Sequence, residues 1–383
     1  MARRPPTTAR FVRFLRVVTL VTLPPVAIAL VELGRRVPPL VAALLALSVL
    51  TGLVWGVGPR VRAGFADVPR PRWIGGVAMP LFDWIWTASL FSPITSGIVG
   101  LLALPVSLFS TVDMPSLGEV TQLGCMLSLV VAGYGVFIRR RWVRSRRIEV
   151  RVVDLPPSLE GYTIAHLSDL HIGSVDRASS ARRWVALSNA LAPDLVAITG
   201  DLLSTGTAFH DEVIEVLSEL RSKDGVFACL GNHDYYDESS LCHRLGQGGV
   251  RVLRNEGVAV DRREGRLWLA GVEDKWRGLV DMEAALRGRG DSPVVLLAHN
   301  PELFAEAEQR GVDVTLSGHT HAGQVGIPFI EGGLARLTTK WAGGLFRQGK
   351  STLFVHAGLG TTGPAIRLGA APEVVQIVLR RAA

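Results

Sequence analysis

The first 138 residues contain four apolar stretches, each close to the ~20 residues that an α-helix needs to cross a bilayer. They are 17–33, 37–57, one drawn from 74–112, and 119–138. The block 74–112 has no lysine or arginine, and a break at Pro93 would divide it into two short spans. The sequence therefore predicts four membrane helices, with five as the alternative. A cleaved signal peptide over residues 1–30 is the rival interpretation of the first stretch, because "AIA" within it resembles a cleavage site.

The net charge of +7 comes from arginines that flank the apolar stretches. They gather at the N-terminus, in the loop 58–73 and in the run 139–147. Basic residues in these places favour an anionic membrane surface over nucleic acid as the partner. The positive-inside rule puts all three groups in the cytoplasm, which four spans satisfy and five do not. We therefore expect a multi-pass protein of the cell (inner) membrane, with the domain that follows on the cytoplasmic side.

From Ile148 onward the sequence changes to short apolar runs that end in Gly, Asp, Asn or His. Examples are "YTIAHLSD", "DLVAITGD", "GVFACLGNHD", "PVVLLAHN" and "VDVTLSGHTH". Helix-like stretches such as 177–192 and 301–310 lie between them. Strands that alternate with helices predict an α/β layered domain over 148–383, after a transmembrane region over 1–147. The pattern alone does not distinguish a doubly wound single sheet from two packed sheets.

Seven side chains with oxygen or nitrogen donors follow the ends of these apolar runs. They are Asp169, His171, Asp201, Asn232, His299, His319 and His321. The carboxyl ends of strands face the ligand crevice in layered α/β proteins, so we expect these residues to converge. Donors of this kind without thiolate suit Mn, Fe or Zn. Seven are too many for one tetrahedral site, but they suffice for two divalent metal ions if a carboxylate bridges them. The three cysteines form no CxxC pair, which argues against a zinc ribbon.

The donors belong to five short motifs that occur in order along the chain. The motifs are "SDLHIG", "ITGDLL", "LGNHDY", "LLAHNP" and "SGHTHAGQ". In this set the chain resembles the calcineurin-like metallophosphoesterase superfamily, from residue 148 to about residue 381. The segments "DLPPSLEGYTIAHLSDLHIG" and "GLGTTGPAIRLG" are similar to its membrane-associated YkuE/YaeI-type branch, which often carries N-terminal transmembrane helices. The resemblance implies a four-layer α/β/β/α sandwich, preceded here by an all-α transmembrane helical region.

The resemblance also implies a role for each residue of the motifs. It divides six donors between two metals, the first held by Asp169, His171 and His321 and the second by Asn232, His299 and His319. Asp201 would bridge the two metals. His233 would donate to a phosphate oxygen or protonate the leaving group. Asp234 would orient the His233 ring.

These roles imply hydrolysis of a phosphodiester or pyrophosphate bond by metal-bound hydroxide. Attachment to a membrane suggests a lipid-linked phosphoester substrate. The alternative enzyme is an anchored hydrolase of soluble phosphomonoesters or cyclic nucleotides, and the non-enzyme alternative is a membrane sensor. A sensor is expected to lack a metal ligand or His233, and this sequence lacks none of them. The sequence leaves the oligomeric state and the identity of the metals open.

Overall fold

The computed structural model describes residues 8–64, 67, 71, 73–111, 113–262, 265–326 and 333–382. The chain forms two compact units. The first contains the N-terminal helices to Arg139 together with the short segment Gly363–Ile366. The second contains Arg140–Thr362, Arg367–Ala383 and Ala66–Arg70.

In the part of the chain that the structure describes, the first unit has five α-helices. They are α1 (Thr8–Thr22), α2 (Pro24–Gly34), α3 (Pro39–Gly64), α4 (Met79–Phe109) and α5 (Leu117–Gly133). A π-helical turn, Ile74–Ala78, leads into α4, and further turns extend α5 as far as Arg141. Ser116 begins α5 with a capping box, because its hydroxyl accepts from the Glu119 N–H and the Glu119 carboxylate accepts from the Ser116 N–H.

Three of these helical stretches are long and apolar enough to cross a membrane. They are Pro39–Gly64, Ile74–Phe109 and Leu117–Arg141. The predicted helix over 17–33 is instead two helices, α1 and α2, which meet at 50°. Pro24 and Pro25 explain the break, since neither has an N–H to donate to the preceding turn. The protein is thus a membrane protein with about three N-terminal spans, or up to four if the bent pair crosses as one.

A buried ion pair joins α3 and α4 inside the first unit. The Arg60 guanidinium donates to both oxygens of the Asp83 carboxylate, at 2.8 and 2.5 Å. Asp83 is fully buried, and it also accepts the N–H of Ala365 at 2.8 Å. Arg60 donates a further hydrogen bond to the carbonyl of Gly363 at 3.0 Å. These bonds satisfy both charged groups within an apolar helix bundle.

Among the described residues, the second unit contains two six-stranded sheets and five α-helices. The strands are β1 (Arg144–Val152), β2 (Thr163–Leu167), β3 (Leu195–Thr199), β4 (Val226–Cys229), β5 (Val250–Val252), β6 (Glu256–Arg262), β7 (Gly265–Gly271), β8 (Val294–Leu297), β9 (Val314–Ser317), β10 (Gly344–Gln348), β11 (Ser351–Val355) and β12 (Glu373–Arg381). The helices are α6 (Ala178–Ala190), α7 (His210–Leu217), α8 (Glu238–Gln247), α9 (Met282–Leu286) and α10 (Phe304–Gln309).

The first sheet has the strand order β1-β12-β2-β3-β4-β5, and the second has β10-β11-β9-β8-β7-β6. In the first sheet β2, β3, β4 and β5 are parallel, and β12 pairs antiparallel to β2. In the second sheet β7, β8, β9 and β11 are parallel, with antiparallel strands at both edges. Each sheet therefore presents a set of carboxyl strand ends at one edge.

The two sheets pack face to face over a shared core. Leu195 of β3 and Leu316 of β9 are both fully buried in it. The next residue of β3, Val196, faces the other way and packs with Trp184 of α6 in a separate cluster. Successive strand side chains point to opposite faces, so helices cover the outer side of each sheet. The predicted α/β/β/α sandwich, preceded by a helical region, is confirmed.

Candidate metal centre

The seven predicted donors follow the carboxyl ends of parallel strands in both sheets. In chain order, Asp169 and His171 follow β2, Asp201 follows β3, Asn232 follows β4, His299 follows β8, and His319 and His321 follow β9. The strands β2, β3 and β4 are parallel neighbours in one sheet, and β8 and β9 are parallel neighbours in the other. Face-to-face packing brings these ends together, as the position of the motifs predicted.

Five of the seven donors have a left-handed backbone conformation. The φ angles are 52° for Asp169, 45° for His171, 51° for Asp201, 70° for His319 and 52° for His321. Such angles are rare outside glycine and cost about 1–3 kcal/mol each. Neighbouring loops hold them in place: the Asp169 N–H donates to the carbonyl of Gly200, and the His171 N–H to that of Asp201, both at 3.0 Å. The strain is concentrated where the side chains converge.

One group of donors consists of Asp169, His171 and His321, all of them buried. The Nε2 atoms of His171 and His321 lie 3.0 Å apart, and their rings stack with centroids 4.9 Å apart. Nε2 of His321 is 3.3 Å from Oδ1 of Asp169. The two ring nitrogens are close enough to share one proton or one cation. This set is the one that the resemblance assigns to the first metal.

A second group of donors surrounds His299. Its Nε2 lies 3.3 Å from Oδ2 of Asp201 and 3.3 Å from Nδ1 of His319. Its Nδ1 donates to the carbonyl of Thr199 at 2.7 Å, which leaves Nε2 to face the cluster. Asp169, Asp201 and His299 together form a buried set whose donor atoms lie within 4.8 Å of one another.

Burial sets the protonation of most groups in the cluster. It lowers the pKa of His171 and of His319 to about 3, so both rings are neutral at pH 7. It raises the pKa of Asp169 to about 6. For Asp201, burial favours the protonated form, but the surrounding histidines, His299 foremost, together outweigh it and hold the pKa well below the usual range. For His299, burial favours the neutral ring, but the surrounding carboxylates, Asp201 foremost, together outweigh it and raise the pKa to about 10.

Two features of this geometry fit a pair of divalent cations. Oδ2 of Asp201 lies between the groups, 3.5 Å from Nε2 of His171 and 3.3 Å from Nε2 of His299. Oδ1 of Asn232 is buried and has no hydrogen-bond partner in the described part of the chain. Buried polar atoms almost always have partners, and the next residue, His233, donates its N–H to Oδ1 of Asp201 at 2.9 Å, so an oxygen left in this state on the same segment suits a cation. The cluster is a candidate dimetal site.

His233 is half-buried beside the first group, with its ring 4.8 Å from that of His171. Its Nδ1 lies 2.5 Å from the carbonyl of Ser204. The Asp234 carboxylate instead accepts backbone N–H groups, from Leu202 at 2.9 Å and from Gly231 at 2.8 Å. This corrects the expectation that Asp234 orients the His233 ring. Asp234 organises the loops that carry the motif residues, and the Ser204 carbonyl orients the ring.

The sequence did not indicate three contributors to the site. Two are backbone carbonyls, those of Thr199 and Ser204, whose identity leaves no trace in a motif. The third is Trp276, whose ring centroid lies 4.3 Å from that of His319. Trp276 follows β7 in the stretch "VEDKWRGL", and its place after a strand of the second sheet was the available signal.

An α/β/β/α sandwich with a buried His/Asp/Asn cluster at its strand ends defines a class of dimetal phosphoesterases. Consistent with this class, a family model for calcineurin-like phosphoesterases matches residues 162–323. An "uncharacterized metallophosphoesterase" of Aquifex aeolicus is 31% identical over 265 residues, which cover 67% of this chain and 98% of that protein. The chain belongs to the calcineurin-like metallophosphoesterase family.

Two further relatives are similar to this chain. A "transmembrane protein with metallophosphoesterase domain" of Danio rerio is 33% identical over 278 residues, 68% of this chain. The chain spans only 63% of the length of that relative. The metallophosphoesterase YkuE of Bacillus subtilis is 26% identical over 258 residues, 65% of this chain and 89% of YkuE. The predicted resemblance to the branch that contains YkuE is confirmed.

Among solved structures, the sulfate thiohydrolase SoxB of Thermus thermophilus, in complex with glycerol, matches with a TM-score of 0.37 and 16% identity. The match covers 59% of this chain and 58% of that chain.

Proposed function

We propose that the enzyme hydrolyses a phosphodiester or pyrophosphate bond with the help of two divalent metal ions, drawn from Mn, Fe or Zn. Asp169, His171 and His321 would hold one metal, and Asn232, His299 and His319 would hold the other. Asp201 would bridge them, and the position of its Oδ2 between the two histidine groups is the observation that carries the proposal. Bound there, the metals would lower the pKa of a water molecule and neutralise phosphoryl oxygens.

His233 is the candidate general acid. Its Nδ1 donates to the Ser204 carbonyl, so Nε2 is the nitrogen that exchanges a proton with a substrate. Water attacks phosphorus, the bond to the leaving oxygen breaks, and His233 transfers its proton to that oxygen. Proton transfer of this kind contributes typically ~10²–10⁴-fold to the rate. No serine or cysteine nucleophile is required.

The membrane helices suggest the substrate class. Three stretches of spanning length would hold the enzyme at a bilayer, where headgroup phosphates and lipid pyrophosphates are abundant. A lipid-linked phosphodiester or pyrophosphate is therefore the proposed substrate. The arginines that flank the apolar stretches favour a cytoplasmic position for the metal centre. Protease digestion of sealed inverted vesicles tests that orientation, because a cytoplasmic domain is cleaved in them and a domain on the other side is protected.

The test of the chemistry uses the full chain in detergent. The protein is treated with a chelator, reloaded with Mn²⁺, and assayed on bis(p-nitrophenyl) phosphate and p-nitrophenyl phosphate. Activity on the diester that returns with Mn²⁺ supports the proposal. A preference for the monoester would favour the alternative of an anchored hydrolase of soluble substrates. A folded protein that binds two metals and cleaves neither ester would contradict phosphodiester hydrolysis.

A further inference from the structure

Residues 273–281, which follow β7, form a loop that presents two exposed apolar side chains beside the metal centre. Trp276 is 62% exposed and Leu279 is 89% exposed. We propose that this 273–281 loop binds the apolar chain of the phosphoester substrate. The inference rests on the proposed function and deepens it, because it assigns residues that select the non-phosphate part of the substrate.

The 273–281 loop lies against a candidate metal ligand, His319. The rings of Trp276 and His319 make a T-shaped contact, with 4.3 Å between centroids and an interplanar angle of 82°. His319 itself is close to His299, since Nδ1 of one is 3.3 Å from Nε2 of the other. A phosphoryl group bound at these histidines would therefore carry its substituent past the exposed face of Trp276.

Hydrogen bonds order the loop that carries these exposed apolar side chains. The Asn255 side chain closes the loop at both ends: its Oδ1 accepts the N–H groups of Glu273 at 3.1 Å and Asp281 at 3.0 Å. Its amide donates to the carbonyl of Leu279 at 2.6 Å. Inside the loop, Oδ1 of Asp274 accepts the Trp276 N–H at 2.9 Å. A loop held by these bonds presents Trp276 and Leu279 at low entropic cost to a ligand.

A second set of hydrogen bonds ties the loop to the motif that carries Asn232. Tyr235, in the same "GNHDY" motif, accepts the Asp274 N–H on its hydroxyl at 2.8 Å and donates to the Glu273 carboxylate. Glu273 also accepts from Arg254 at 2.6 Å. The loop and the ligand-bearing segment are thus held to one another directly. One molecule with a phosphate at one end and an apolar chain at the other could therefore contact both the metal centre and the loop.

The two exposed apolar side chains of the loop, Trp276 between the charged Lys275 and Arg277 and Leu279 beyond them, favour an apolar chain over a sugar as the ligand. Large apolar side chains exposed by more than 60% are few in the described part of the second unit: Trp142, Trp276, Leu279 and Leu337. Two of them lie within this one loop. Burying them against a hydrocarbon chain removes apolar surface from water, whereas a sugar or phosphate would gain nothing from the leucine.

The experiment compares p-nitrophenyl methyl phosphate with p-nitrophenyl octyl phosphate. Both release the same p-nitrophenol, so chain length is the only difference. The full chain in detergent, loaded with Mn²⁺, gives kcat/KM for each ester, and the octyl-to-methyl ratio is the readout. Partition of the octyl ester into detergent is the same for every variant and cancels. The variants are Leu279→Ser and Trp276→Ala, and the control is Leu345→Ser, an exposed leucine on β10.

We expect the ratio to fall about tenfold in Leu279→Ser and in Trp276→Ala, with the change mainly in KM, and to stay unchanged in Leu345→Ser. Leu279 is almost fully exposed, so its replacement tests the inference even if Trp276→Ala fails to fold. An unchanged ratio in a variant that still cleaves both esters would overturn the inference. If the wild-type enzyme cleaves neither ester, the proposed phosphodiester hydrolysis fails, and that outcome is distinct from a failure of the inference about the loop.

Discussion

Gly231 lies directly against the carboxylate of Asp201. A β-carbon at position 231 would overlap both Oδ1 and the backbone nitrogen of Asp201. The close approach explains why the "GNHD" motif begins with glycine: the segment that carries Asn232 and His233 must pass the Asp201 carboxylate, and a side chain at position 231 would block it. The His233 N–H donates to the same carboxylate at 2.9 Å, so the two segments hold each other in register.

Replacing Gly231 with alanine should therefore displace Asp201. We expect Gly231→Ala to lower diesterase activity by about 10²-fold, because displacements near 1 Å have effects of that size. Metal content, measured by elemental analysis of the purified protein, should fall below two per chain. The control is Gly246→Ala in α8, where a β-carbon meets nothing within 4 Å. A Gly231→Ala protein with two metals and full activity would contradict the close packing described here.

We expect metal binding and activity to depend on the charge of the Asp201 side chain more than on its shape. Asp201→Asn keeps the size of the side chain but removes the negative charge from between His171 and His299. We predict that the metal content drops from two to one or none, and that diesterase activity falls by more than about 10²-fold. Asp224→Asn, which alters a half-buried ion pair with Arg262, should retain both metals and the activity. Two tightly bound metals in Asp201→Asn would exclude Asp201 as the bridge.

The loss of rate on replacing His233 should depend on the leaving group of the substrate. This dependence would distinguish His233 from the candidate metal ligands. His233→Ala is predicted to keep both metals and to lose ~10²–10⁴-fold in rate with an alkoxide leaving group. The loss should be smaller with p-nitrophenolate, which departs without needing a proton. His243→Ala, on the exposed side of α8, is the control and should match the wild type with both substrates. An equal loss with both leaving groups would indicate that His233 positions the substrate and does not protonate it.

The metal centre was more predictable from the sequence than its surroundings were. Each donor directly follows an apolar run, so Asp169, Asp201 and His299 could be placed at strand ends without knowledge of the sheet order. The left-handed angles at His171 and His319 were not predictable, because they come from hydrogen bonds between loops distant in sequence. The Ser204 carbonyl is hidden for a similar reason: a backbone oxygen has no sequence signature.

The sequence did not predict strand β1 or the helix break at Leu23, and the physical reasons differ. Strand β1 starts at Arg144, within the arginine run, and its first residues are mostly exposed, so hydropathy does not reveal it. Its partner is β12, at the opposite end of the sandwich sequence, and only that pairing makes it a strand. The break at Leu23, by contrast, was signalled by Pro24 and Pro25, and the apolar length of 17–33 outweighed that signal in the prediction.

The last prediction concerns how much the buried ion pair of Arg60 and Asp83 contributes to the stability of the protein. Asp83→Ala would leave the Arg60 guanidinium buried without its carboxylate, which costs about 3–5 kcal/mol in comparable pairs. The double variant Arg60→Met with Asp83→Leu should recover most of that loss, because apolar side chains replace both charges. Thermal unfolding of the detergent-solubilised protein measures the effect, with Arg35→Ala, in an exposed pair with Glu32, as the control expected to change little. A double variant no more stable than Asp83→Ala would mean that the bonds to Gly363 and Ala365, and not the unpaired charge, dominate the cost.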